Sequence, residues 1–335
     1  MRWTRARIEV CSVNENVLLS VEGLKVRYRT DDYLIHAVNG VSLQVEHGKT
    51  LGLVGETGAG KTTIAKSILR ILPKKVGEII EGKISLDGVS LLDLPEEKMR
   101  SIRGNKISMI FQDPMTALNP VNTVGYQIAE ALRLHNNYSR KEARKAAEEM
   151  LETVGILKER YDDYPFQFSG GMRQRVVIAM ALACKPELLI CDEPTTALDV
   201  TIQAQVLDMI TNLKKELDTA VIMITHDLGI VAETCDTVAV IYAGKVVEYG
   251  KVEEIFDDPK HPYTIGLFNS LPQANRGGRL RPIEGLMPDP SDLPAGCPFG
   301  PRCEHATDKC RSIEPGIRQY SETHYCRCHW REENS

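Results

Sequence analysis

Apolar residues recur along the first 250 positions with two different rhythms. Between Val17 and Tyr28, and again between Val38 and Val45, apolar and polar residues alternate as they do in half-buried strands. Thr50 to Val54, Leu188 to Cys191, Ala220 to Ile224 and Thr237 to Ala243 are instead apolar runs of strand length, and Lys106 to Phe111 reads as a further strand. Pro95 sits near the start of a helix over Asp93 to Arg103, and Thr123 to Leu134 is helical. Ser139-Arg-Lys-Glu142 is a capping box opening a charged helix that runs towards Val154. Residues from about 92 to 170 are therefore mainly helical, an insertion into a domain that otherwise alternates strands and helices.

Composition divides the chain. Its 335 residues suggest two domains, and ten of the seventeen prolines lie beyond Phe256, so the end should be loop-rich and poor at building its own core. We expect an extension at 1–16, a nucleotide-binding domain at 17–255 and a C-terminal extension at 256–335. No apolar run approaches the ~20 residues that cross a bilayer. The arginines of the first 16 residues precede no apolar segment, which argues against a cleaved secretory signal. A net charge of −5 gives no reason to expect nucleic acid. Nine cysteines, an odd number, five of them crowded after residue 296, argue against a disulfide framework and for a terminal metal site.

The run Thr50 to Val54 leads directly into Gly55-Glu-Thr-Gly-Ala-Gly60-Lys61-Thr62. Strand, glycine loop and helix in that order are the context a phosphate loop requires. The glycines let backbone N–H groups turn inward around phosphate oxygens, and the helix start adds its positive end. Lys61 can reach the β- and γ-phosphates and the Thr62 hydroxyl can ligate Mg²⁺. A glycine turn that binds nothing is the plain alternative, and the flanking elements speak against it.

Leu188-Leu-Ile-Cys-Asp192-Glu193-Pro194 ends a buried strand in two carboxylates. Asp192 suits Mg²⁺, directly or through water, and Glu193 suits polarising the attacking water. In isolation the pair would read as a solvated turn; the loop upstream changes that. Gln112 follows one strand and can touch Mg²⁺ or the water, while His226 follows another and can contact the γ-phosphate. Each alone would be an ordinary surface or structural residue. Intact Lys61, Asp192, Glu193 and His226 favour turnover over a binding module. A Ser-Gly-Gly turn, Ser169 to Gly171, opens one more helix.

In order and spacing, Val17 to Val252 resembles the ATP-binding cassette (ABC) ATPases. The resemblance implies an α/β fold: a phosphate-loop core sheet, an antiparallel β subdomain and a helical insertion. It implies that Tyr28, with Tyr33 the lesser candidate, stacks on adenine. It makes Gly55 to Thr62 the Walker A loop, so that Gly55, Thr57, Gly58, Ala59, Gly60, Lys61, Thr62 and Thr63 meet ATP and Mg²⁺. Gln112 then resembles the Q-loop glutamine, Leu188 to Glu193 the Walker B strand, Ala197-Leu198-Asp199 the D-loop and His226 the switch histidine. Ser169, Gly170, Gly171 and Met172 resemble the family signature, which usually reads Leu-Ser-Gly-Gly-Gln. Phe168 and Met172 depart from it, and the departure touches only the glutamine's polar contact. In this family two copies meet head to tail, so Ser169 to Gly171 of one would cover ATP on the other's Walker A.

His261-Pro-Tyr-Thr-Ile-Gly-Leu-Phe-Asn-Ser-Leu-Pro272 and Leu293-Pro-Ala-Gly-Cys297-Pro-Phe-Gly-Pro-Arg-Cys303 are similar to the C-terminal extension of dipeptide and oligopeptide importer ATPases. That resemblance implies two membrane permease subunits, gripped by the helical insertion, a second ATPase subunit (paralogue or self) and an extracytoplasmic peptide-binding protein. The chain would then sit at the cytoplasmic face of the cell membrane. Nickel importers share parts of the pattern, which leaves nickel or another small solute as the alternative cargo. A soluble, non-transport ABC ATPase commonly has two cassettes or a long coiled-coil insertion, and neither is present.

Cys297, Cys303, Cys310 and Cys328 are separated by five, six and seventeen residues. Zinc knuckles usually show Cys-x₂₋₄-Cys pairs. Four wider-spaced cysteines fit a [4Fe–4S] cluster, which the resemblance also favours, with Zn²⁺ as the alternative. Cys326 is left as a spare, and His305, His324 and His329 read as surface residues, with metal ligation their alternative role. Such a small metal-binding domain would gain stability from its metal, with redox sensing the sharper alternative.

Overall fold

The alternating segments near the start become two long strands, β1 (Val17–Arg29) and β2 (Leu34–Glu46), paired antiparallel. The first apolar run becomes β3 (Thr50–Val54), all five residues buried. The computed structural model describes residues 16–196, 199–270 and 282–333, so most of the N-terminal extension, with Ala197 and Leu198 of the D-loop, lies outside the described residues.

Two sheets organise the chain. The smaller joins β2, β1, β4 (Gly77–Leu86) and β5 (Val89–Ser90) in that order, all antiparallel. The larger has a parallel centre: β3, β6 (Ile107–Ile110), β7 (Leu188–Asp192), β8 (Ala220–Thr225) and β9 (Thr237–Tyr242), in the order β9-β3-β8-β7-β6. β10 (Lys245–Lys251) runs antiparallel beside β9.

The continuous apolar runs have a direct cause, because these strands are covered on both faces. Side chains alternate along a strand, so Leu189, Cys191, Val221 and Met223 enter one core while Leu188, Ile190, Ala220, Ile222 and Ile224 enter another. The second core is closed by β1, β2 and α1 (Lys61–Ile68). The first is closed by helices, among them α4 (Val124–Asn136), α5 (Arg140–Thr153), α6 (Gly170–Leu182) and α7 (Val200–Leu217). Between α1 and α4 lie α2 (Glu96–Ile102) and the short α3 (Pro114–Ala117). Ser139 caps α5 as read: its hydroxyl accepts from the Glu142 N–H at 3.3 Å, and its own N–H donates to the Glu142 carboxylate at 2.8 Å.

Part of the span from 92 to 170 is not helical insertion. β6 lies within it and pairs with β7 at the edge of the core sheet, because Ile107 and Ile110 are wholly buried there. The helices that follow β6 in this span begin with α3.

After α8 (Leu228–Thr234), β9 and β10, the proline-rich end contributes α9 (Val252–Asp257), α10 (Pro262–Asn269), β11 (Arg318–Gln319) and β12 (Tyr325–Cys326). Its described residues build no separate core. Tyr263, Cys297, Phe299 and Cys310 share a cluster with Val54, Val238, Val240 and Tyr242 of the sheet, and β12 pairs with β10. The expectation that His324 and His329 are surface residues is corrected, since both are buried. His324 Nε2 lies 2.8 Å from Glu248 Oε1, and His329 Nε2 lies 3.0 Å from the Ile313 carbonyl. Glu248, with no exposed surface, also accepts from the N–H groups of Lys260 at 2.6 Å and His261 at 2.9 Å. Burial works to raise its pKa, yet these donors outweigh it and hold the carboxyl below its usual range. Of these three histidines, His305 alone is exposed, stacked on Trp330 with ring centres 3.9 Å apart.

Candidate functional site

The phosphate loop joins β3 to α1 and is threaded closely between neighbours. A Cβ on Gly55 would stand 2.1 Å from the Ile241 carbonyl oxygen, and one on Gly60, at φ +104°, 2.4 Å from that of Ala37. Side chains are sterically excluded at both places. α1 has no side-chain cap and no acidic residue in its first turn, so its opening N–H groups face an anion without internal competition. Lys61 bends back over the loop, its Nζ donating to the carbonyls of Gly55 at 2.5 Å and Glu56 at 3.0 Å. Burial lowers its pKa against the pull of Glu193 and Asp192.

Thr62 and Asp192, 130 residues apart, meet because β3 and β7 both neighbour β8: the Thr62 hydroxyl donates to Asp192 Oδ1 at 3.0 Å. Burial pushes the Asp192 carboxyl up. A hydroxyl against a buried carboxylate at the edge of a phosphate loop is the oxygen-rich donor set that suits Mg²⁺.

Glu193 follows directly, with φ +47°, a left-handed conformation that costs a non-glycine residue of order 1–3 kcal/mol. Its N–H donates to the Ile224 carbonyl at 2.9 Å, which fixes the turn. Its carboxylate accepts from Gln112 Nε2 at 3.0 Å and from the Thr196 hydroxyl at 3.0 Å, and lies 3.3 Å from His226 Nδ1. Gln112, Glu193 and His226 thus converge from the C-terminal ends of β6, β7 and β8, the end where open α/β sheets bind ligands. Burial would raise the Glu193 pKa, but its contacts with Thr196 and His226, joined by Lys61, outweigh it and hold it low. The carboxylate is therefore ionised at neutral pH and able to take a proton from water. Thr196 is absent from the sequence-based candidates; a hydroxyl three residues after a strand-end carboxylate is the only signal that could have found it.

The Tyr28 hydroxyl lies 3.1 Å from Thr63 Oγ1, beside the first turn of α1, whereas Tyr33 is 65% exposed. Thr57 and Gly58 are exposed at the crest of the loop, and Ala59 is buried beneath it.

The Ser-Gly-Gly turn is built differently. Ser169 caps α6, its hydroxyl accepting from the Met172 N–H at 3.4 Å. A Cβ on Gly170 would meet nothing within 4 Å, while one on Gly171 would stand 2.7 Å from Ile202 Cγ2 of α7. Ser169 and Gly170 are exposed. The two departures from the family signature face inward: Phe168 is buried beneath Arg160, whose guanidinium lies 4.0 Å from the ring centre, and the Met172 sulfur accepts from Arg160 at 3.7 Å. Among the described residues no hydrogen bond joins Ser169, Gly170 or Gly171 to Lys61, Thr62, Asp192 or Glu193. One link behind the turn does exist, since the buried Gln174 Nε2 donates to the Pro194 carbonyl at 2.6 Å. Asp199 caps α7, accepting from the Ile202 N–H at 3.0 Å.

In the C-terminal end, Cys297, Cys310 and Cys328 are buried and Cys303 partly so, all as free thiols. They lie within electrostatic reach of one another, and burial pushes Cys297 and Cys303 up to about 11. The Cys297 N–H donates to the Cys310 carbonyl at 2.7 Å, which ties two of their loops. Among the described residues no group of three or more His, Cys, Asp or Glu is placed to hold a metal. Cys326, wholly buried on β12, lies within electrostatic reach of Cys297 and Cys328 as well.

Comparison with known proteins agrees with this geometry. The ABC transporter family matches residues 38–196, and the oligopeptide/dipeptide transporter C-terminal region matches residues 247–310. A probable peptide ABC transporter ATP-binding protein of Sinorhizobium fredii is 50% identical over 320 residues, 94% of this chain and 95% of its own. A dipeptide transport ATP-binding protein of Bacillus subtilis is 49% identical over 93% of this chain and 94% of its own. Among solved structures, a dimeric post-hydrolysis state of the ATP-binding cassette MJ0796 with ADP and phosphate aligns at a TM-score of 0.63 and 26% identity, covering 70% of this chain and 99% of that one. The chain belongs to the ABC transporter ATPases, in the branch that carries the oligopeptide/dipeptide transporter C-terminal region.

Proposed function

We propose that this chain is the ATP-hydrolysing subunit that drives import of dipeptides or oligopeptides through two membrane permease subunits, paired with a second ATPase subunit and served by an extracytoplasmic peptide-binding protein. The names of its relatives and the matched C-terminal region support the cargo class. No helix among the described residues is long and apolar enough to cross a membrane; in this reading the chain sits at the cytoplasmic face of the membrane, held there by the permease subunits. The observation that carries the catalytic reading is the convergence of Gln112, Thr196 and His226 on Glu193 beside the Thr62–Asp192 pair.

In this reading Gly55 and Thr57 to Thr63 cradle the phosphates of ATP, with Lys61 on the β- and γ-phosphates and Tyr28 against the adenine. Thr62, Asp192 and Gln112 are the residues to hold Mg²⁺, which supplies charge neutralisation on the phosphate oxygens. Glu193 orients the attacking water and accepts its proton, while His226 faces the γ-phosphate. Ser169 to Met172 cover the nucleotide of the second subunit, and Asp199 lies at that junction. The cassette spans 17–255 and the C-terminal extension 256–335.

Cys297, Cys303, Cys310 and Cys328 are the residues to ligate a [4Fe–4S] cluster, with Zn²⁺ the alternative. Four unbridged thiols within electrostatic reach of one another, five, six and seventeen residues apart along the chain, support this reading. The cluster would staple a segment that builds no core of its own.

The test is purification from the membrane, identification of every bound chain, ATPase assay with and without peptide-loaded binding protein, and iron, sulfide and zinc analysis. Permease subunits and peptide-stimulated turnover are expected. A complex without permeases overturns the importer reading, and absence of iron and sulfide overturns the cluster.

A further inference from the structure

Glu56, the second residue of the phosphate loop, has all three of its polar groups engaged, two of them by the C-terminal end. Its N–H donates to the Tyr263 hydroxyl at 2.9 Å. Its carboxylate accepts from Arg302 Nη1 at 2.8 Å. Its carbonyl accepts from Lys61 Nζ at 3.0 Å. Tyr263 and Arg302 stand 207 and 246 residues away along the chain.

Arg302 is itself fixed. Its side chain is 6% exposed, and it also donates to the carbonyls of Glu284 at 2.9 Å and Ile283 at 3.4 Å and to the Tyr242 hydroxyl at 3.3 Å. Beneath it the rings of Tyr242, Tyr263 and Phe299 pack with centres 4.6 to 5.4 Å apart. A guanidinium held in one orientation by several acceptors is a rigid anchor for a carboxylate, which a surface pair is not. Arg302 directly precedes Cys303 in the chain, and Phe299 lies between Cys297 and Cys303, so the cysteine loop carries the anchor.

We propose that Arg302 is a positioning residue for ATP. By gripping the Glu56 carboxylate, it holds the loop carbonyl that places the Lys61 ammonium, and so couples the fold of the cysteine loop to nucleotide affinity. This rests on the ATPase reading above. Arg302 touches no phosphate; its effect passes through Glu56.

The experiment uses the full-length chain and measures ATP affinity by equilibrium binding, with KM and kcat, for wild type, R302K, R302M, E56Q and the R302M/E56Q double variant. R302M and E56Q should each weaken ATP binding about tenfold, equivalent to ~1.4 kcal/mol. KM should rise in step while kcat at saturation changes less than about twofold, the split expected when ground-state and transition-state binding are lost together. The double variant should be no weaker than either single one, because both remove the same contact. R302K should recover part of the loss, since lysine keeps the charge without the planar fork. R302M binding ATP like wild type, losses that multiply in the double variant, or a lower melting temperature without a KM change each overturns the proposal. Should R302M fail to fold, E56Q decides alone, and unchanged affinity there also overturns it. Wild type that fails to bind ATP would instead sink the ATPase reading.

Discussion

Thr62 and Asp192 join across the sheet, with Lys61 tied to its own loop and Glu193 to Gln112, Thr196 and His226, whereas Ser169 and Gly170 stand exposed at a helix start with only local bonds. The first half carries strain and desolvated charge: a left-handed Glu193, a buried Asp192 and a buried Lys61. Such features persist where surrounding structure over-determines them, and here β3, β7 and β8 do so. The second half carries none. It is a cap and an open glycine. Under the proposed function, the first half is the one set for chemistry and the second the one set for contact with another subunit.

The largest effect should come from Glu193→Gln, which removes the proton acceptor but keeps the shape. Turnover measured by phosphate release should fall ~10²–10⁴-fold, while ATP-dependent association seen by light scattering persists. Unchanged turnover would strip Glu193 of its role and dissolve the contrast.

The anchor under the first half gives a test by pH. His261 is buried, its Nδ1 accepts the Tyr263 N–H at 3.0 Å, and burial pushes its pKa down to about 4. Below pH 6.5 the unfolded chain takes up a proton that the folded chain refuses, so stability falls as pH drops from 6.5 towards 4. Above 6.5 the contribution is whole. A loss of about 3 kcal/mol is expected across that window, read from urea midpoints, and His261→Gln should flatten the slope. A flat wild-type profile would show that the anchor is not sealed from solvent.

Gly170→Arg probes the second half. The site is open, so the chain should fold, but ATP-driven association should weaken at least about tenfold while the isolated chain's ATP affinity moves far less. Equal losses in both would mean that the two halves are not separate. Ser169→Ala should be the mildest, removing one cap at ~1 kcal/mol of stability in thermal melts. A larger loss there would place the turn among the load-sharing parts of the fold.

Sequence exposed most of the first half because each motif is contiguous and sits on a buried strand end: Val54 before Gly55, Cys191 before Asp192. It exposed the capping box of α5 for the same local reason. It could not expose contacts made over long separations. Thr196 is close to Glu193 in sequence, yet only the fold turns its hydroxyl back. His324 read as a surface residue because an isolated histidine gives no sign of a buried partner, and Glu248, 76 positions earlier, is an acid that would itself be assigned to water. The tie from Arg302 to Glu56 was hidden in the same way. β6 was recognised as a strand, but its place in the core sheet became visible only through its pairing with β7.

The pairing of β12 with β10 has a practical consequence for anyone trimming this protein. β10 is the last strand that the cassette supplies, and Tyr325, Cys326 and the Arg327 N–H, which donates to the Val247 carbonyl at 2.9 Å, occupy the middle of its free side. A chain cut after residue 255 would present a seven-residue strand with unmet hydrogen-bonding groups, an invitation to stick to its own copies. Loss of solubility in such a fragment would then report an uncovered sheet edge, and should not be taken for failure of the nucleotide machinery.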